Sequence, residues 1–582
     1  MPPQITVLDA GGQYCHLIAR KVRELGVYAE VAPSETPASS LRDRKGIVIS
    51  GGPASVHDPE SPTIDPRLLA SGTPILGICY GQQLMAHLLG GEVRKGDHGE
   101  YGSAQLDISS SDGVLRGIGR SQQVWMSHFD TVARAPDGFD VLASTPTCAI
   151  AAIAAPLRHL YAVQFHPEVA HTPCGPAILS NFVFDICGCV KDWDPAGQIR
   201  AVEDRIRAVA GDRNIFFFVS GGVDSTVAYT LCQRALGPER VRATYVDTGL
   251  MREGETEFVR ENFAQLGAQA FSVEDARQEF LAALSGVTDP EQKRHIIGEQ
   301  FVHVQQRILE SDHYLDGRWI LGQGTIYPDT IESGGSAKAD LIKTHHNRVA
   351  GIQKLIDAGR IVEPLASFYK DEVRLIGREL GISGALLDRH PFPGPGLAIR
   401  CLCSDTTAPP EPIDEGWILP IRSVGVQGDA RTYRPVLSVD GFSPDRPAGD
   451  LINRIPGINR VVAALWEELP AGELRVAPAT LTAERLDRLR RADAIVRRIS
   501  REMGVDALIW QFPVILIPFG TAARPDSVVL RPVQSVDGMT ANAYWMWPEA
   551  SRALMEALRA MGDIAGVYYD LTDKPPGTIE WE

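Results

Sequence analysis

Short apolar runs alternate with segments of helical spacing at the start of the chain. The apolar runs lie at positions 5–8, 27–31, 46–50 and 74–78. Between the first two, the segment 13–25 has apolar residues three and four apart. Short apolar runs predict buried strands, and their alternation with helices is typical of a parallel sheet. We therefore expect an α/β domain at 1–190, with an open, mostly parallel sheet flanked by helices.

The same alternation returns in the middle of the chain. An apolar run at 215–219 precedes a helical pattern at 227–236, and an alternating apolar strand follows at 241–246. The segment 192–197 before them has the composition of a linker. These patterns predict a second open, mostly parallel sheet domain at 191–400.

The last part of the chain contains an internal repeat. Eight residues, R-P-V-L-S-V-D-G, recur nearly unchanged as R-P-V-Q-S-V-D-G, and a weaker similarity follows each copy. Chance similarity between alternating apolar strands is the alternative, but two copies in the same order favour duplication. We expect a smaller, duplicated α+β domain at 401–582, with copies at about 415–510 and 511–582. The matched segments are 434–441 with 531–538, and 455–462 with 564–571.

Composition and charge are those of a soluble globular protein. The 582 residues are 44% apolar and 22% charged, with a formal net charge of −16. Long nucleic acids bind mainly through clustered Lys and Arg, so this charge argues against a nucleic-acid partner but not against small anions in local positive pockets. Nine cysteines show no repeated zinc-ligand spacing. We expect a reducing compartment.

The sequence shows no sign of secretion or membrane insertion. Its first residues enter an apolar run without a basic region and a hydrophobic signal core. No apolar run approaches the roughly 20 residues that span a bilayer. We therefore expect a cytoplasmic protein with no membrane partner.

A cysteine stands where the fourth apolar run meets a helix. The segment 77–83 reads G-I-C-Y-G-Q-Q, so Cys79 lies on a sharp turn at a helix N-terminus, where the helix dipole favours the thiolate. Small neighbours and this position are typical of a nucleophile elbow. A buried cysteine that only packs is the alternative.

Partners for such a thiolate occur elsewhere in the first segment. An apolar strand at 161–165 ends in His166 and Glu168, a base and a carboxylate that can orient it. An ordinary turn is the alternative for these two residues. The segment S-G-G-P, with Gly51 and Gly52, offers backbone N–H groups for an oxyanion hole, and the amide of Tyr80 can add another.

Together, these motifs resemble the class I glutamine amidotransferase family. The resemblance rests on S-G-G-P, G-I-C-Y-G-Q-Q and F-H-P-E in that order, over about 180 residues. It implies a glutaminase in which Cys79 is the nucleophile, His166 the base and Glu168 its orienting carboxylate. It also implies that Gln83, Ser127 and His128 line the glutamine pocket.

A glycine loop lies between the apolar run at 215–219 and the following helix. Such a loop aims backbone N–H groups and the positive end of the helix dipole at one spot, which suits a phosphate chain. It matches neither the Walker pattern nor G-x-G-x-x-G, and it contains no lysine. An ordinary glycine turn is the alternative. The residues are Ser220, Gly221, Gly222, Val223, Asp224, Ser225 and Thr226.

Further polar residues are expected near this loop. The strand 241–246 ends in Asp247, so that Asp224 and Asp247 are candidate Mg²⁺ ligands, although Asp247 alone can simply begin a turn. Gly322 and Gln323 leave another apolar strand. The segment 343–347, K-T-H-H-N, favours a mobile lid that brings a cation to polyphosphate. A zinc site is the weaker interpretation.

Four motifs of the middle segment together resemble the ATP pyrophosphatase domain of the glutamine-hydrolysing GMP synthetase family. They are S-G-G-V-D-S-T, Q-G-T-I-Y-P-D-T-I-E-S, K-T-H-H-N and F-P-G-P-G. The resemblance implies that ATP adenylylates xanthosine monophosphate (XMP), pyrophosphate leaves, and ammonia displaces AMP to give GMP. The glycine loop would then hold the departing pyrophosphate, with Gly322, Gln323 and Lys343 as further ATP contacts.

The resemblance extends to the last segment and to assembly. It implies that Asp429, Gln511, Lys574 and Glu580 contact XMP and that Arg294 contacts its phosphate. The segment after K-T-H-H-N is closer to longer, eukaryotic-type members, and shorter members pair two chains through their last domain. A duplicated domain that pairs within one chain implies a monomer, and a dimer is the alternative. Alternatives are a synthetase that amidates another acid and a nucleotide-sensing scaffold without activity.

Overall fold

The computed structural model describes residues 2–12, 14–332, 350–427, 430–439, 441, 448–455, 457–535 and 541–582. It divides into two compact units, Met1–Gly197 and Gln198–Glu582. Within these described ranges, no helix is both long and apolar enough to cross a membrane.

The first unit is built on one nine-stranded sheet, in the order β2-β1-β3-β4-β9-β8-β7-β5-β6. The strands from β2 to β9 in this order are parallel, whereas the pairings beyond β9 are antiparallel. This confirms the predicted parallel sheet. The strands are β1 (Ile5–Asp9), β2 (Ala29–Pro33), β3 (Gly46–Ile49), β4 (Ile75–Ile78), β5 (Glu92–Ile108), β6 (Ser121–Arg134), β7 (Asp140–Ser144), β8 (Ala152–Ala155) and β9 (Leu160–Val163).

Helices cover the faces of this sheet because each has one apolar side. On the first helix, Ile18, Ala19 and Val22 are buried at the spacing that the sequence predicted. The α-helices are α1 (Cys15–Glu24), α2 (Tyr80–Leu88) and α3 (Gly175–Ser180), supplemented by 3₁₀ turns and a π-helical segment at Asn181–Ile186.

The second unit begins with a five-stranded, fully parallel sheet in the order β12-β11-β10-β13-β14. Its strands are β10 (Asn214–Val219), β11 (Val241–Asp247), β12 (Phe271–Asp275), β13 (Trp319–Gly322) and β14 (Ile361–Val362). The central strands are apolar nearly throughout, because helices cover both faces of a parallel sheet. The helices are α4 (Ile199–Ala210), α5 (Val223–Leu236), α6 (Glu255–Gln265), α7 (Arg277–Ala283), α8 (Pro290–Ser311), α9 (Tyr327–Glu332), α10 (Ala350–Asp357), α11 (Lys370–Glu379) and α12 (Gly384–Leu387).

A mixed, seven-stranded sheet follows in the same unit, in the order β15-β16-β17-β18-β25-β22-β20, beside two short two-stranded sheets. The strands are β15 (Glu411–Ile413), β16 (Gly416–Gln427), β17 (Ala430–Val439), β18 (Arg460–Glu467), β19 (Arg475–Val476), β20 (Val514–Ile517), β21 (Phe519–Gly520), β22 (Ser527–Leu530), β23 (Val533–Gln534), β24 (Asn542–Ala543) and β25 (Gly566–Asp570). The helices are α13 (Ala448–Arg454), α14 (Ala483–Glu502) and α15 (Pro548–Arg559).

The two halves of this mixed sheet repeat the same order of elements. In one half, β16 pairs antiparallel with β17, α13 follows, and β18 returns parallel to β17. In the other, β20 pairs antiparallel with β22, α15 follows, and β25 returns parallel to β22. The halves meet where β18 and β25 pair antiparallel. The boundaries of the three predicted domains and of the two copies stay predictions.

The parallel sheet and the mixed sheet of the second unit share one hydrophobic core. Phe216 of β10, Leu437 of β17 and Leu516 of β20 belong to the same cluster of buried side chains. This core makes one compact body of the segments 198–400 and 401–582.

A buried cluster of charged side chains fixes the end of the chain. Asp570 Oδ2 lies 3.0 Å from Arg460 Nη1 and 2.8 Å from Arg531 Nη1, and all three side chains are fully buried. The indole of Trp581 donates to the same oxygen at 2.8 Å. Both guanidinium groups also donate to backbone carbonyls of the last residues, such as that of Thr578.

The single carboxylate of this cluster compensates two positive charges. Burial by itself raises the pKa of Asp570, but Arg531 and Arg460 outweigh this effect and hold the pKa below its ordinary value. The carboxylate is therefore ionised in the core. Removing it would leave two guanidinium groups unpaired in a medium of low polarity.

We expect Asp570→Asn to lower the free energy of unfolding of the second unit by about 3–5 kcal/mol, since it leaves buried positive charge uncompensated. Urea denaturation measures the change. Asp388→Asn is the matched control, because Asp388 pairs with Arg378 on the surface at 2.8 Å and should cost less than about 1 kcal/mol. Equal losses in the two variants would contradict the stabilising role of the cluster.

Candidate active sites

Cys79 occupies a strained turn between β4 and α2. Its backbone has φ +54° and ψ −108°, a conformation that non-glycine residues rarely adopt. The helix begins at the next residue, Tyr80, so Cys79 lies at the helix N-terminus, where the first N–H groups have no partner within the helix. The turn closes tightly, because a Cβ on Gly81 would lie 2.3 Å from the carbonyl oxygen of Ile49.

His166 and Glu168 lie beside this cysteine because their strand is the neighbour of β4. Ile78 pairs with Val163 in the parallel register of β4 and β9, so the residues that follow each strand meet at one edge of the sheet. His166 Nδ1 and Glu168 Oε1 are 2.7 Å apart, and both side chains are buried. The backbone of Gly51 approaches both the His166 ring and the Cys79 side chain, so these two side chains are neighbours.

These contacts determine the charge of the histidine. Burial by itself lowers the pKa of His166, but the carboxylate of Glu168 and the neighbouring Cys79 side chain outweigh burial and raise the pKa well above its ordinary value. A protonated imidazole therefore lies beside the Cys79 sulfur, which is the arrangement that nucleophilic catalysis by a cysteine requires.

The predicted oxyanion and glutamine-binding residues gather around the same thiol. A Cβ on Gly51 would lie 3.0 Å from His166 Cε1 and 3.4 Å from Cys79 Cβ, so this backbone passes next to both residues. The next residue, Gly52, continues this turn after β3. The Cys79 thiol donates to the Ser127 carbonyl oxygen at 3.6 Å.

Gln83 and His128 share one hydrogen-bond acceptor. Gln83 Nε2 donates to the carbonyl oxygen of Asp130 at 2.7 Å and to Gln164 Oε1 at 3.2 Å. His128 Nδ1 lies 3.0 Å from the same Asp130 carbonyl oxygen. The sequence-predicted residues of the first unit thus lie together at the carboxyl edge of its parallel strands.

In the second unit, the glycine loop joins β10 to α5 as predicted. Gly222 is the residue before the first turn of α5, and Ser225 and Thr226 hydroxyls donate to its carbonyl oxygen at 3.2 and 2.8 Å. Ser220 Oγ accepts the Gly222 N–H at 3.3 Å. These bonds fix the loop and leave the N-terminal end of α5, from Val223 onward, directed at its opening.

The segment after β13 packs against this loop. A Cβ on Gly324 would lie 2.8 Å from the backbone nitrogen of Ser225, so only glycine allows so close an approach. Gly322 ends β13, which pairs directly with β10, and the Gln323 N–H donates to the Val362 carbonyl at 3.0 Å. Strand pairing therefore places Gly322 and Gln323 next to the loop.

The two predicted magnesium ligands differ in their surroundings. Asp224 Oδ1 is buried and has no hydrogen-bond partner among the described residues. Asp247 ends β11, and its two oxygens accept the Gly249 N–H and the Thr256 hydroxyl, each at 2.9 Å. Asp224 thus has an oxygen open to a cation, whereas each oxygen of Asp247 already accepts one hydrogen bond.

Lys370 is a candidate residue that the sequence analysis missed. Its Nζ donates to Asp224 Oδ2 at 3.0 Å, although the two residues are 146 positions apart. It stands at the first position of α11, a helix whose N-terminus is closed by a capping box between Tyr369 and Glu372. The one sequence signal was indirect: a phosphate loop without a lysine requires a cation from another segment. The predicted lid residue Lys343 lies outside the described residues.

A third set of predicted residues surrounds the C-terminal tail. Glu580 accepts from Arg400 Nε and Nη2 at 2.9 and 2.7 Å, and from Gln511 Nε2 at 3.3 Å. Burial by itself raises the pKa of Glu580, but Arg400 outweighs burial and lowers the pKa below its ordinary value. Glu580 is therefore an ionised partner of Arg400, which the sequence analysis had not singled out.

Arg294 approaches the same tail from α8. Its Nη2 donates to the carbonyl oxygen of Glu582, and the neighbouring Lys293 Nζ donates to the Glu582 side chain. Arg294 Nε and Arg400 Nη1 are buried and have no hydrogen-bond partner among the described residues. The backbone of Lys574 pairs with Ala541, and Asp429 lies outside the described residues.

Comparison with known proteins matches three family models in chain order. Residues 6–186 match glutamine amidotransferase class-I, residues 199–293 match NAD synthase, and residues 499–581 match the GMP synthase C terminal domain. A probable glutamine-hydrolysing GMP synthase of Leptospira interrogans is 42% identical to the chain, over 100% of this chain and 99% of that protein. The chain belongs to the glutamine-hydrolysing GMP synthase family.

Relatives in this family differ in length. The GMP synthase of Syntrophomonas wolfei is 40% identical over 99% of both proteins. That of Symbiobacterium thermophilum is 44% identical over 98% of its own length but covers only 80% of this chain. Family members of full length therefore occur in bacteria beside shorter ones.

The raised pKa of His166 predicts a pH effect. We expect Glu168→Gln to lower the pKa of His166, so that the alkaline limb of the glutamine-dependent rate moves to lower pH by about one unit or more. The pH dependence of kcat/KM for glutamine measures the shift. Glu92→Gln, which alters a surface carboxylate paired with Arg94, should leave the profile unchanged. An unshifted alkaline limb in Glu168→Gln would show that Glu168 does not set the charge of His166.

Proposed function

We propose that the chain makes GMP from XMP, with glutamine as nitrogen donor and ATP as activating co-substrate. Glutamine is hydrolysed to glutamate and ammonia, ATP adenylylates the C2 oxygen of XMP with release of pyrophosphate, and ammonia displaces AMP. The observation that carries the proposal is the occurrence, in one chain of this family, of the Cys79, His166 and Glu168 site together with the glycine loop before α5.

In the proposed glutaminase, the Cys79 thiolate attacks the side-chain amide carbon of glutamine. The oxygen of the tetrahedral intermediate accepts hydrogen bonds from the backbone N–H groups of Gly52 and Tyr80. The His166 imidazolium gives its proton to the departing ammonia, and a glutamyl thioester remains. His166 then removes a proton from water, which hydrolyses the thioester and restores the thiolate, while Glu168 holds the ring throughout.

In the proposed synthetase, the glycine loop binds the β- and γ-phosphates of ATP. Backbone N–H groups at the start of α5 stabilise the negative charge that grows on pyrophosphate as the bond to the α-phosphate breaks. Lys370 adds a positive charge next to the loop. The Walker lysine is absent because the reaction takes place at the α-phosphate, so the loop binds the leaving group.

The residues of this site fit Mg²⁺. The buried Asp224 Oδ1 has no partner among the described residues, and magnesium is usually held by one or two carboxylates together with substrate phosphates. Asp224 would hold the ion, with Asp247 as the second carboxylate. When bound, the ion would neutralise charge on the departing pyrophosphate.

For XMP, the candidate contacts surround the C-terminal tail. The buried Arg294 Nε and Arg400 Nη1 donors suit a phosphate group, because guanidinium groups bind phosphate through several N–H donors. Gln511 and Glu580 lie beside Arg400, and Lys574 is carried by the same tail. Asp429 completes the proposed set on the grounds of sequence resemblance alone.

The repeated halves of the mixed sheet support a monomer. In the proposal, the antiparallel pairing of β18 with β25 replaces a contact between two chains. Sedimentation velocity at micromolar concentration should give the mass of one chain, and a stable dimer would contradict this assignment.

We expect Cys79→Ala to abolish GMP synthesis from glutamine and to preserve synthesis from added ammonium, because the thiol serves only to release ammonia. The measurement is the rate of GMP formation with each nitrogen source. Cys174→Ala removes a half-buried thiol from the same unit and is the matched control. Glutamine-dependent synthesis by Cys79→Ala would exclude this thiol as the nucleophile.

The acceptor is tested in the same assay by offering one candidate acid at a time. AMP and pyrophosphate should form in equal amounts with XMP and not with the other acids. Product formation with another acid in place of XMP would assign the chain to a different synthetase with the same loop.

We expect Lys370→Met to lower kcat for ammonium-dependent GMP synthesis on the order of 100-fold, because a cation beside the leaving pyrophosphate is lost. Lys354→Met changes an exposed lysine of α10 and should leave kcat unchanged. Equal rates in the two variants would remove Lys370 from the proposed site.

A further inference from the structure

Three potential metal ligands lie together outside the Cys79, His166 and Glu168 triad. Glu100 of β5, His128 of β6 and Cys148 of the turn after β7 each offer one ligand atom, and these atoms lie within 4.8 Å of one another. Glu100 and His128 are direct partners in the antiparallel pairing of β5 with β6. In the part of the chain that the structure describes, this is the one group of three or more such side chains.

The hydrogen bonds of His128 leave a place for a proton or a metal ion between His128 and Glu100. His128 Nδ1 lies 3.0 Å from the carbonyl oxygen of Asp130, which can only accept, so Nδ1 carries a hydrogen. In a neutral imidazole, Nε2 then has a lone pair, yet it lies 3.2 Å from Glu100 Oε2. Two acceptors at this distance repel each other unless a proton or a metal ion lies between them.

The surrounding hydrogen bonds hold the three side chains in place. Thr145 Oγ1 donates to Glu100 Oε1 at 3.1 Å and accepts the Cys148 N–H at 2.9 Å. The Thr131 hydroxyl lies 3.4 Å from Cys148 Sγ. His128 and Cys148 are 8% and 1% exposed. Hydrogen bonds of this kind, including the one from His128 Nδ1 to a backbone carbonyl, orient the ligands in protein metal sites.

We propose that Glu100, His128 and Cys148 bind a divalent transition-metal ion of the Zn²⁺ class. Zinc takes thiolate, imidazole and carboxylate ligands together in tetrahedral geometry. Nitrogen and oxygen ligands about 2 Å from such an ion lie roughly 3.3 Å apart, close to the 3.2 Å between His128 Nε2 and Glu100 Oε2. On binding, the Cys148 thiol loses its proton to solvent, and water takes the fourth position.

Such an ion would act on the adjacent glutamine pocket. The Asp130 carbonyl that orients His128 also accepts from Gln83, and Ser127, the neighbour of His128, accepts from the Cys79 thiol. A metal ion bound to His128 would therefore prevent this pocket residue from contacting glutamine. It would also add positive charge near the Cys79 nucleophile. We expect metal binding to inhibit the use of glutamine. This inhibition rests on the proposed function, whereas the binding of the metal ion is independent of it.

The direct test is Co²⁺ binding to the full chain carrying Cys79→Ala, which removes the catalytic thiol as a competing ligand. Cobalt replaces zinc in such sites and shows a thiolate charge-transfer absorption when a cysteine binds it. We expect one equivalent of Co²⁺ to bind with this absorption and to be displaced by Zn²⁺. Absence of the absorption would overturn the proposal.

Variants of the ligands locate the ion. In the Cys79→Ala chain, Cys148→Ser should remove the absorption, and Glu100→Gln should keep it but weaken Zn²⁺ binding about ten-fold or more. Cys187→Ser removes a half-buried thiol of a C-x-C segment that packs beside Gly46, at the start of β3, and is the control. Unchanged binding in Glu100→Gln, or loss of the absorption in Cys187→Ser, would contradict the site. Because Glu100→Gln keeps the side-chain size, it tests the site even where Cys148→Ser does not fold.

Activity of the chain with Cys79 intact completes the test. Zn²⁺ should inhibit glutamine-dependent GMP synthesis and spare ammonium-dependent synthesis, and Glu100→Gln should raise the inhibitory concentration about ten-fold or more. Equal inhibition with both nitrogen sources would overturn the link to the glutamine pocket. If the metal-free chain makes no GMP from glutamine, the proposed function fails, whereas Co²⁺ binding to the Cys79→Ala chain still decides the metal site.

Discussion

Both candidate sites depend on the same structural feature: a parallel strand ends where a helix begins. At such a point, the first N–H groups of the helix have no partner within the helix, and the helix dipole adds positive potential. The first unit places the Cys79 thiol there, and the second unit places the glycine loop before α5. The same kind of unpaired backbone donor thus lies beside the Cys79 thiol in one site and at the glycine loop in the other, where it suits phosphate.

Parallel pairing also determines which distant residues complete each site. Parallel strands need long connections, so neighbours at the carboxyl edge of a sheet are far apart in sequence. His166 reaches Cys79 because β9 pairs with β4, and Gly324 reaches the glycine loop because β13 pairs with β10. Lys370 arrives at the loop on the first turn of α11 and supplies the cation that the loop itself lacks.

The buried charges of the second unit connect the mixed sheet to the end of the chain. Asp570 neutralises Arg460 and Arg531, and the remaining N–H groups of both arginines bind carbonyls of the last residues. This arrangement holds Glu580 against Arg400 and Glu582 against Lys293. The tail is therefore part of the core of this unit. The candidate XMP contacts depend on charge pairs that the local sequence pattern does not predict.

The sequence by itself determined the parallel sheets, the two strand-to-helix turns and the residues in them, because apolar periodicity and glycine spacing are local properties of the chain. It also predicted Cys79, His166, Glu168 and Asp224 as site residues. Only the tertiary structure brought Lys370 to Asp224, Arg400 to Glu580, and Cys148 to Glu100 and His128. These pairs join segments that lie far apart in sequence, and burial and strand order, which the pattern of a single segment does not encode, decide whether such residues meet.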